Sequence, residues 1–434
     1  MEGVRRRSLL LAGSGAGLLA AGALSAGPAA QPAFAAGRQS RDMILEWNGA
    51  LLQIVRTAGA QPAAVHATRS FAMLHAAIYD AVVAVSGGRP YRFVVAAPRG
   101  ADPAAAAAAA GHGVLTALYP ASAAQLDDLL RSQLGALPDP SSRAAGVRVG
   151  QAIAQAMIRS RAADGSAAVP PALPPGTAPG QYRPTPPGFA APVFTHWSGV
   201  RPFVLRSAGQ FGVAPYPQLT SGTYAAALGE VQRAGRDTGS VRTADQTEMA
   251  RFWAAPIWNY WNEIAASLVR DAGAGLHTTA TAFAELNLAI ADSVIAFYAA
   301  KYTHLIWRPV TAIRLADTDG NPATIADPAW NPLATTPADP SYPGAHSVVS
   351  QTAALVLRRV LDDRPVAVTS EVLPGVTRNF RRLQDIADEA GLSRIFAGVH
   401  TRIDHRSGQR LGHNVGRYTL EHATASYRAP LIAA

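Results

Sequence analysis

Lys301 is the single lysine of a 434-residue chain whose Lys and Arg number 38 together, so the other 37 are arginine. An ammonium is a compact point charge with three donors, whereas guanidinium is a flat fork that needs more room. A lysine kept alone in such a chain points to a task arginine cannot do. Together with Arg308 and Pro309 it reads K-x6-R-P. A second group is Pro343-Gly344-Ala345-His346. Proline and glycine end the preceding loop, which puts His346 in the first turn of a helix, where free backbone N–H groups and the helix dipole attract anions. A third group is Ser393-Arg394 followed by His400 and Asp404. At i and i+4 of a helix, Asp404 reaches one ring nitrogen of His400 and fixes its tautomer, leaving the other nitrogen free to bond an electrophilic centre. His400, Asp404, His405 and His413 can also be read as a divalent-metal set. That reading leaves Lys301, Arg308 and Arg394 idle and places a metal cation beside fixed cations.

These groups need a scaffold, and the apolar spacing says which kind. Residues 64–84, 104–118, 122–136, 143–161, 223–238, 243–270, 278–302, 346–363 and 405–424 carry apolar side chains at three- and four-residue intervals, with little period-two alternation. This predicts an all-α protein. Proline pairs at 170–171, 174–175 and 186–187 break regular structure from 169 to 217, a stretch that is either a linker or part of a site lid. The expected division is therefore a helical region over 36–217, carrying that loop, and a C-terminal bundle over 218–434. Several side chains are discounted as packing groups: His66 and His75 among apolar neighbours, Trp253, Trp258 and Trp261 at helical spacing, and Trp307 beside Arg308. His304, three residues after Lys301, is expected to act behind the site rather than in it.

With 49% hydrophobic residues the chain can build a large core. Its net charge of +9 comes from scattered arginines, which leaves no nucleic-acid footprint and suits attraction of a small anion. Residues 1–35 read as an export leader: Arg5-Arg6-Arg7, an apolar stretch, then the A-x-A site Ala33-Phe34-Ala35. Arg6-Arg7-Ser8-Leu9-Leu10 resembles a twin-arginine signal, so the mature protein is expected outside the cytoplasm. There is no cysteine, hence neither a disulfide nor thiolate chemistry. No later segment is expected to span a bilayer.

The three groups in this order resemble the signature shared by vanadium-dependent haloperoxidases and the type 2 phosphatidic acid phosphatase superfamily. The stretch Ser393-Arg394-Ile395-Phe396-Ala397-Gly398-Val399-His400 is similar to the chloroperoxidase side of it. The resemblance implies helical bundles, with vanadate as cofactor and phosphate able to occupy the same site. It implies that Lys301, Arg308 and Arg394 hold the equatorial oxygens and that Gly344 and Ala345 border them. His400 would bond vanadium apically, or attack phosphorus in a phosphatase, and His346 would be the acid-base group opposite. Hydrogen peroxide, a halide and a small organic acceptor are then the partners. The alternative is a phosphatase working through a phosphohistidine. Two departures stand out. Gly344 replaces the usual serine, which removes a hydroxyl and leaves a non-catalytic anion binder as a further reading. Tyr298 and Asp339 stand where chloroperoxidase-like members tend to carry aromatic residues, which favours bromide or iodide over chloride. Chain length, the third group and the expected lack of membrane helices favour the haloperoxidase.

Overall fold

The structure, a computed structural model, describes residues 30–61 and 64–424, with side chains from Asp42 onward. The arginine-led leader lies outside the described residues up to position 29. Among the described residues there are thirteen α-helices and one two-stranded hairpin, so the all-α expectation holds. The helices are α1 (Ala30–Arg56), α2 (His66–Ser86), α3 (Pro103–Leu118), α4 (Ala123–Gly135), α5 (Pro140–Arg161), α6 (Gly222–Ala234), α7 (Ala244–Phe252), α8 (Ile257–Asp271) and α9 (Leu276–His304). They continue as α10 (Pro309–Arg314), α11 (Ala345–Leu361), α12 (Leu383–Phe396) and α13 (Arg402–His422). The hairpin, β1 (Val366–Thr369) with β2 (Thr377–Phe380), is antiparallel and pairs Val366 with Phe380. The single helix expected over 243–270 is two, α7 and α8. The break falls at Pro256, which has no N–H to donate and disfavours helical geometry in the residue before it.

α9 is the axis of the molecule and packs on α2, α11 and α13. By length and hydropathy it could cross a membrane, yet its apolar window is wholly buried by the helices around it. A helix that is apolar on all sides is accounted for once neighbours cover every face. One continuous apolar cluster joins Leu51 and Ile78 of the first half to Ile290, Val349 and Leu411 of the second. Each such side chain contributes roughly 1.5–3 kcal/mol when fully buried.

His75 sits inside this cluster, fully buried, its ring stacked on Phe283 at 4.7 Å and its Nε2 3.1 Å from Asn48 Oδ1. Burial lowers its pKa to about 3. The unfolded chain takes up this proton below pH 6.5, whereas the folded chain does not until about pH 3. His75 therefore withdraws stability as pH falls across that window, by about 1.4 kcal/mol per pH unit, and has no effect above it. His75→Gln is expected to reduce the acid-side slope of unfolding free energy by one proton, measured by urea titration from pH 6.5 to 4. An unchanged slope would refute this.

The Pro-rich loop over 169–217 is pinned to the C-terminal half along its length. Tyr182 donates its N–H to Leu305 O (2.6 Å), Trp307 N–H reaches Gly180 O (2.9 Å), Val193 N–H reaches Ala338 O (2.9 Å), and Tyr342 Oη donates to Ala214 O (2.7 Å). Its far end is held by Asp292 of α9, whose buried carboxylate accepts the three consecutive N–H groups of Phe203, Val204 and Leu205 at 2.6–2.7 Å. Burial pushes that carboxyl up to about 6, with the N–H groups pulling the other way. The loop is thus a wall over residues 305–307 and 338–342.

The contact of α13 with α11 sets the two histidine-bearing segments against each other. Gly408 and Gly412 lie one turn apart on α13, and a Cβ on either would come within 2.3–2.6 Å of the Gly344 or Val348 carbonyl. Only glycine permits this approach, as in other close helix pairs.

Candidate functional site

Four separated segments converge on one buried centre. Lys301 is in the last turn of α9. The chain then turns through Leu305, a non-glycine residue in the left-handed region (φ 50°), and brings Arg308 round as N-cap of α10. Gly344 caps α11, so Ala345 and His346 open that helix, as the sequence predicts. Arg394 is in the last turn of α12, and Gly398, at φ +79°, turns the chain toward His400. His400 is not helical, contrary to the i, i+4 expectation. It precedes Thr401, the N-cap of α13, while Asp404 is the third helical residue and closes a capping box with Thr401. The two side chains meet because the cap folds Asp404 back over the helix start.

Lys301, Arg308 and Arg394 are 0%, 1% and 6% exposed. Lys301 Nζ donates to Pro340 O and, at 3.3 Å, to Ser341 O. Arg308 Nε donates to Asp339 O (2.7 Å) and Nη1 to Val399 O (2.8 Å), while Nη2 is bonded to Asp339 Oδ1. Nη1 is also 3.3 Å from His400 Nε2. Arg394 Nε and Nη1 are buried without a hydrogen-bond partner. Leaving a buried guanidinium unpaired is costly, so these donors are aimed at a group that arrives from solution. Burial first, then the neighbouring Arg308 cation, lowers Lys301 to about 8 and Arg394 to about 10. Asp339 offsets both effects in part.

His400 is neutral: burial, then Arg308, lowers it to about 3. Burial alone would raise Asp404, but His400, Thr401 N–H and Ser341 hold it below the usual carboxylate range. Asp404 Oδ2 accepts from Thr401 N–H (2.7 Å) and Ser341 Oγ (2.8 Å) and lies 3.4 Å from His400 Nδ1. This assigns the proton of His400 to Nδ1 and its lone pair to Nε2, on the side of the cations. His346 Nε2 faces the Trp253 carbonyl at 2.9 Å, so that nitrogen carries the proton and Nδ1 is the proton acceptor. Burial and Arg394 put His346 well below its ordinary value. The Gly344 N–H is already committed to Asp404 O (3.0 Å), so of these two backbone donors only that of Ala345 is left for an anion.

Three cations against the carboxylates of Asp339 and Asp404, with both histidines neutral, leave one net positive charge in a buried pocket. The donor set fits a tetrahedral oxyanion such as vanadate or phosphate. It does not fit the alternative metal set, since His405 is bonded to Ser347 Oγ (2.8 Å) and His413 is exposed. Among the described residues no group of three or more His, Cys, Asp or Glu side chains could hold a metal ion.

Sequence reasoning missed four contributors. Ser341 and Thr401 orient Asp404, the Trp253 carbonyl orients His346, and Asp339 pairs the cations. Asp339 was visible as a departure from the related pattern; a backbone carbonyl carries no sequence signal at all. Trp261 (Nε1 to Ser350 Oγ, 3.0 Å), His66 (4.8 Å from Trp197) and His304 (5.3 Å from Tyr342) pack outside the centre, as expected.

Residues 281–429 match the family model of the VCPO second helical-bundle domain. No curated protein matches the sequence. Among solved structures, the first bacterial vanadium-dependent iodoperoxidase superposes with a TM-score of 0.74 at 26% identity, covering 89% of this chain and 97% of that one. The holo-type of a bacterial vanadium-dependent chloroperoxidase gives 0.66 at 17% identity, covering 85% and 94%. Its apo-type gives 0.62 at 18%, covering 82% and 92%. The bundle that residues 281–429 match and the fold shared over nearly the whole of these chains support the vanadium haloperoxidase superfamily for this protein.

Proposed function

We propose that the protein is a vanadate-dependent haloperoxidase that uses hydrogen peroxide to oxidise bromide or iodide and halogenates a small organic acceptor. The observation that carries this reading is the pair of unpartnered Arg394 donors in a buried cationic pocket that also receives the neutral Nε2 of His400. Bound vanadate would supply the Lewis acidity that activates peroxide without a change in metal oxidation state.

The protein's own groups have separable tasks. Lys301, Arg308 and Arg394 neutralise and orient the anion's oxygens from fixed positions, where burial strengthens each charge-assisted hydrogen bond. His400 would offer its Nε2 lone pair to the bound anion, held in that tautomer by Asp404. His346 takes and returns the peroxide proton at Nδ1, while its Nε2–H stays on the Trp253 carbonyl. Tyr298 and Tyr342, both buried, help the Pro-rich wall exclude water. Asp339, at a position where chloroperoxidase-like members tend to carry an aromatic residue, supports bromide or iodide, which are easier to oxidise than chloride. The similarity to an iodoperoxidase supports the same choice. These matches do not favour a phosphatase. The leader-like N-terminus supports an enzyme working outside the cytoplasm.

The test is peroxide-dependent bromination of a phenolic dye by purified protein before and after orthovanadate. Activity that requires vanadate and declines with added phosphate is the expected result. No bromination or iodination in either state would defeat the proposal.

A further inference from the structure

Asp339 places a second anion inside a pocket built to hold one. It is 5% exposed, and its Oδ1 takes the Arg308 Nη2 donor while Oδ2 lies 3.5 Å from Lys301 Nζ. Burial would raise its carboxyl, but Lys301 and Arg308 outweigh burial and keep it ionised. The two nitrogens it touches are the ones an oxyanion would use, so an anion entering the cradle brings an oxygen up to this carboxylate. Oδ2 keeps lone pairs, because 3.5 Å is longer than a normal hydrogen bond. An oxygen that carries a proton can donate to it, making a short charge-assisted bond. An oxygen without one sets two anionic oxygens together in a site that water cannot enter to screen them.

We propose that Asp339 is a specificity-determining residue that reads the proton on the bound oxyanion: the pocket accepts tetrahedral anions that keep a hydroxyl near neutrality, such as vanadate and phosphate, and rejects sulfate, which has none. The single net positive charge of the pocket agrees with this, since it balances a monoanion. The inference rests on the oxyanion-site reading above. It concerns binding alone, so it can be tested without turnover.

A site built to hydrogen-bond a hydroxyl can reject the analogue lacking it by about 10⁴-fold. At pH 7, calorimetric titration of wild-type protein with inorganic phosphate, orthovanadate and sulfate is expected to show phosphate and vanadate at least about 10²-fold tighter than sulfate. Asp339→Asn, whose amide can donate to a bare oxygen, is expected to narrow that ratio at least about tenfold, mainly by gaining sulfate affinity. A folded Asp339→Asn protein that keeps the full ratio overturns the role of Asp339. Wild-type protein that binds sulfate as tightly as phosphate overturns it without any variant, so a misfolded variant does not shield the proposal. Arg394→Ala separates the two levels: wild-type protein that binds no oxyanion, or Arg394→Ala protein that binds vanadate undiminished, removes the oxyanion site and this inference together.

Discussion

His400→Ala is expected to lower vanadate-dependent bromide or iodide oxidation at least about 10³-fold, with unfolding free energy changed by no more than about 1–2 kcal/mol. The difference lies in electron pairs. Lys301, Arg308 and Arg394 can hold oxygens but have no lone pair to offer a central atom. His400 Nε2 faces the cations as a neutral acceptor, because burial and Arg308 lower that ring to about 3 and Asp404 Oδ2 accepts from its Nδ1–H. The stability effect stays small because the contacts of His400 with Asp404 (3.4 Å) and Arg308 (3.3 Å) are long. Initial rates at saturating vanadate, beside urea melts, provide the check. A variant keeping more than a tenth of the wild-type rate would rule out His400 as the group that would bond the bound anion.

The second large effect combines stability with function. Asp404→Ala removes the acceptor of the Thr401 N–H (2.7 Å) and of Ser341 Oγ (2.8 Å), and with it the capping box that starts α13. The Asp404 side chain is fully buried, so the donors left behind cannot turn to water. The expected loss is about 3–5 kcal/mol at neutral pH, read from urea unfolding. The folded carboxyl lies below its ordinary value, so its contribution is fully present above the usual carboxylate range. That contribution disappears as pH falls through the folded pKa, and the wild-type and variant curves should converge in strong acid. Asp404→Asn keeps the shape but no longer enforces the His400 tautomer, and should cost 10–100-fold in vanadate affinity or activity. An alanine variant as stable as wild type would show that the Asp404 carboxylate does not hold the segment.

How far these residues could be read in advance differs by kind. The helical class was legible because three- and four-residue apolar spacing is a local property, and α2, α3, α5, α9, α11 and α13 fall where it predicts. Residues 243–270 misled, since apolar spacing runs on through Pro256 although the backbone cannot. The β1–β2 hairpin and α12 were not anticipated as elements. The three motif groups carried the identities of Lys301, Arg308, His346, Arg394, His400 and Asp404, because each group is short and its residue types are chemically restrictive. Their protonation states were not readable. Each depends on burial and on charges brought from segments far away in sequence, as the proximity of Asp339 and Lys301 across 38 positions shows.

The sequence by itself determined an all-α chain with three cations, two histidines and a carboxylate in three groups whose resemblance to a known signature implies a tetrahedral oxyanion site. Only the tertiary structure decided that Arg394 is left with free donors and that the Trp253 carbonyl orients His346. It also decided that the Pro-rich stretch is a wall rather than a linker, and that Asp339 sits between Lys301 and Arg308. The reason is physical: spacing along the chain dictates which groups share a helical turn, whereas the charge and dryness of a pocket arise only when α9, α11, α12 and α13 dock and exclude water between them.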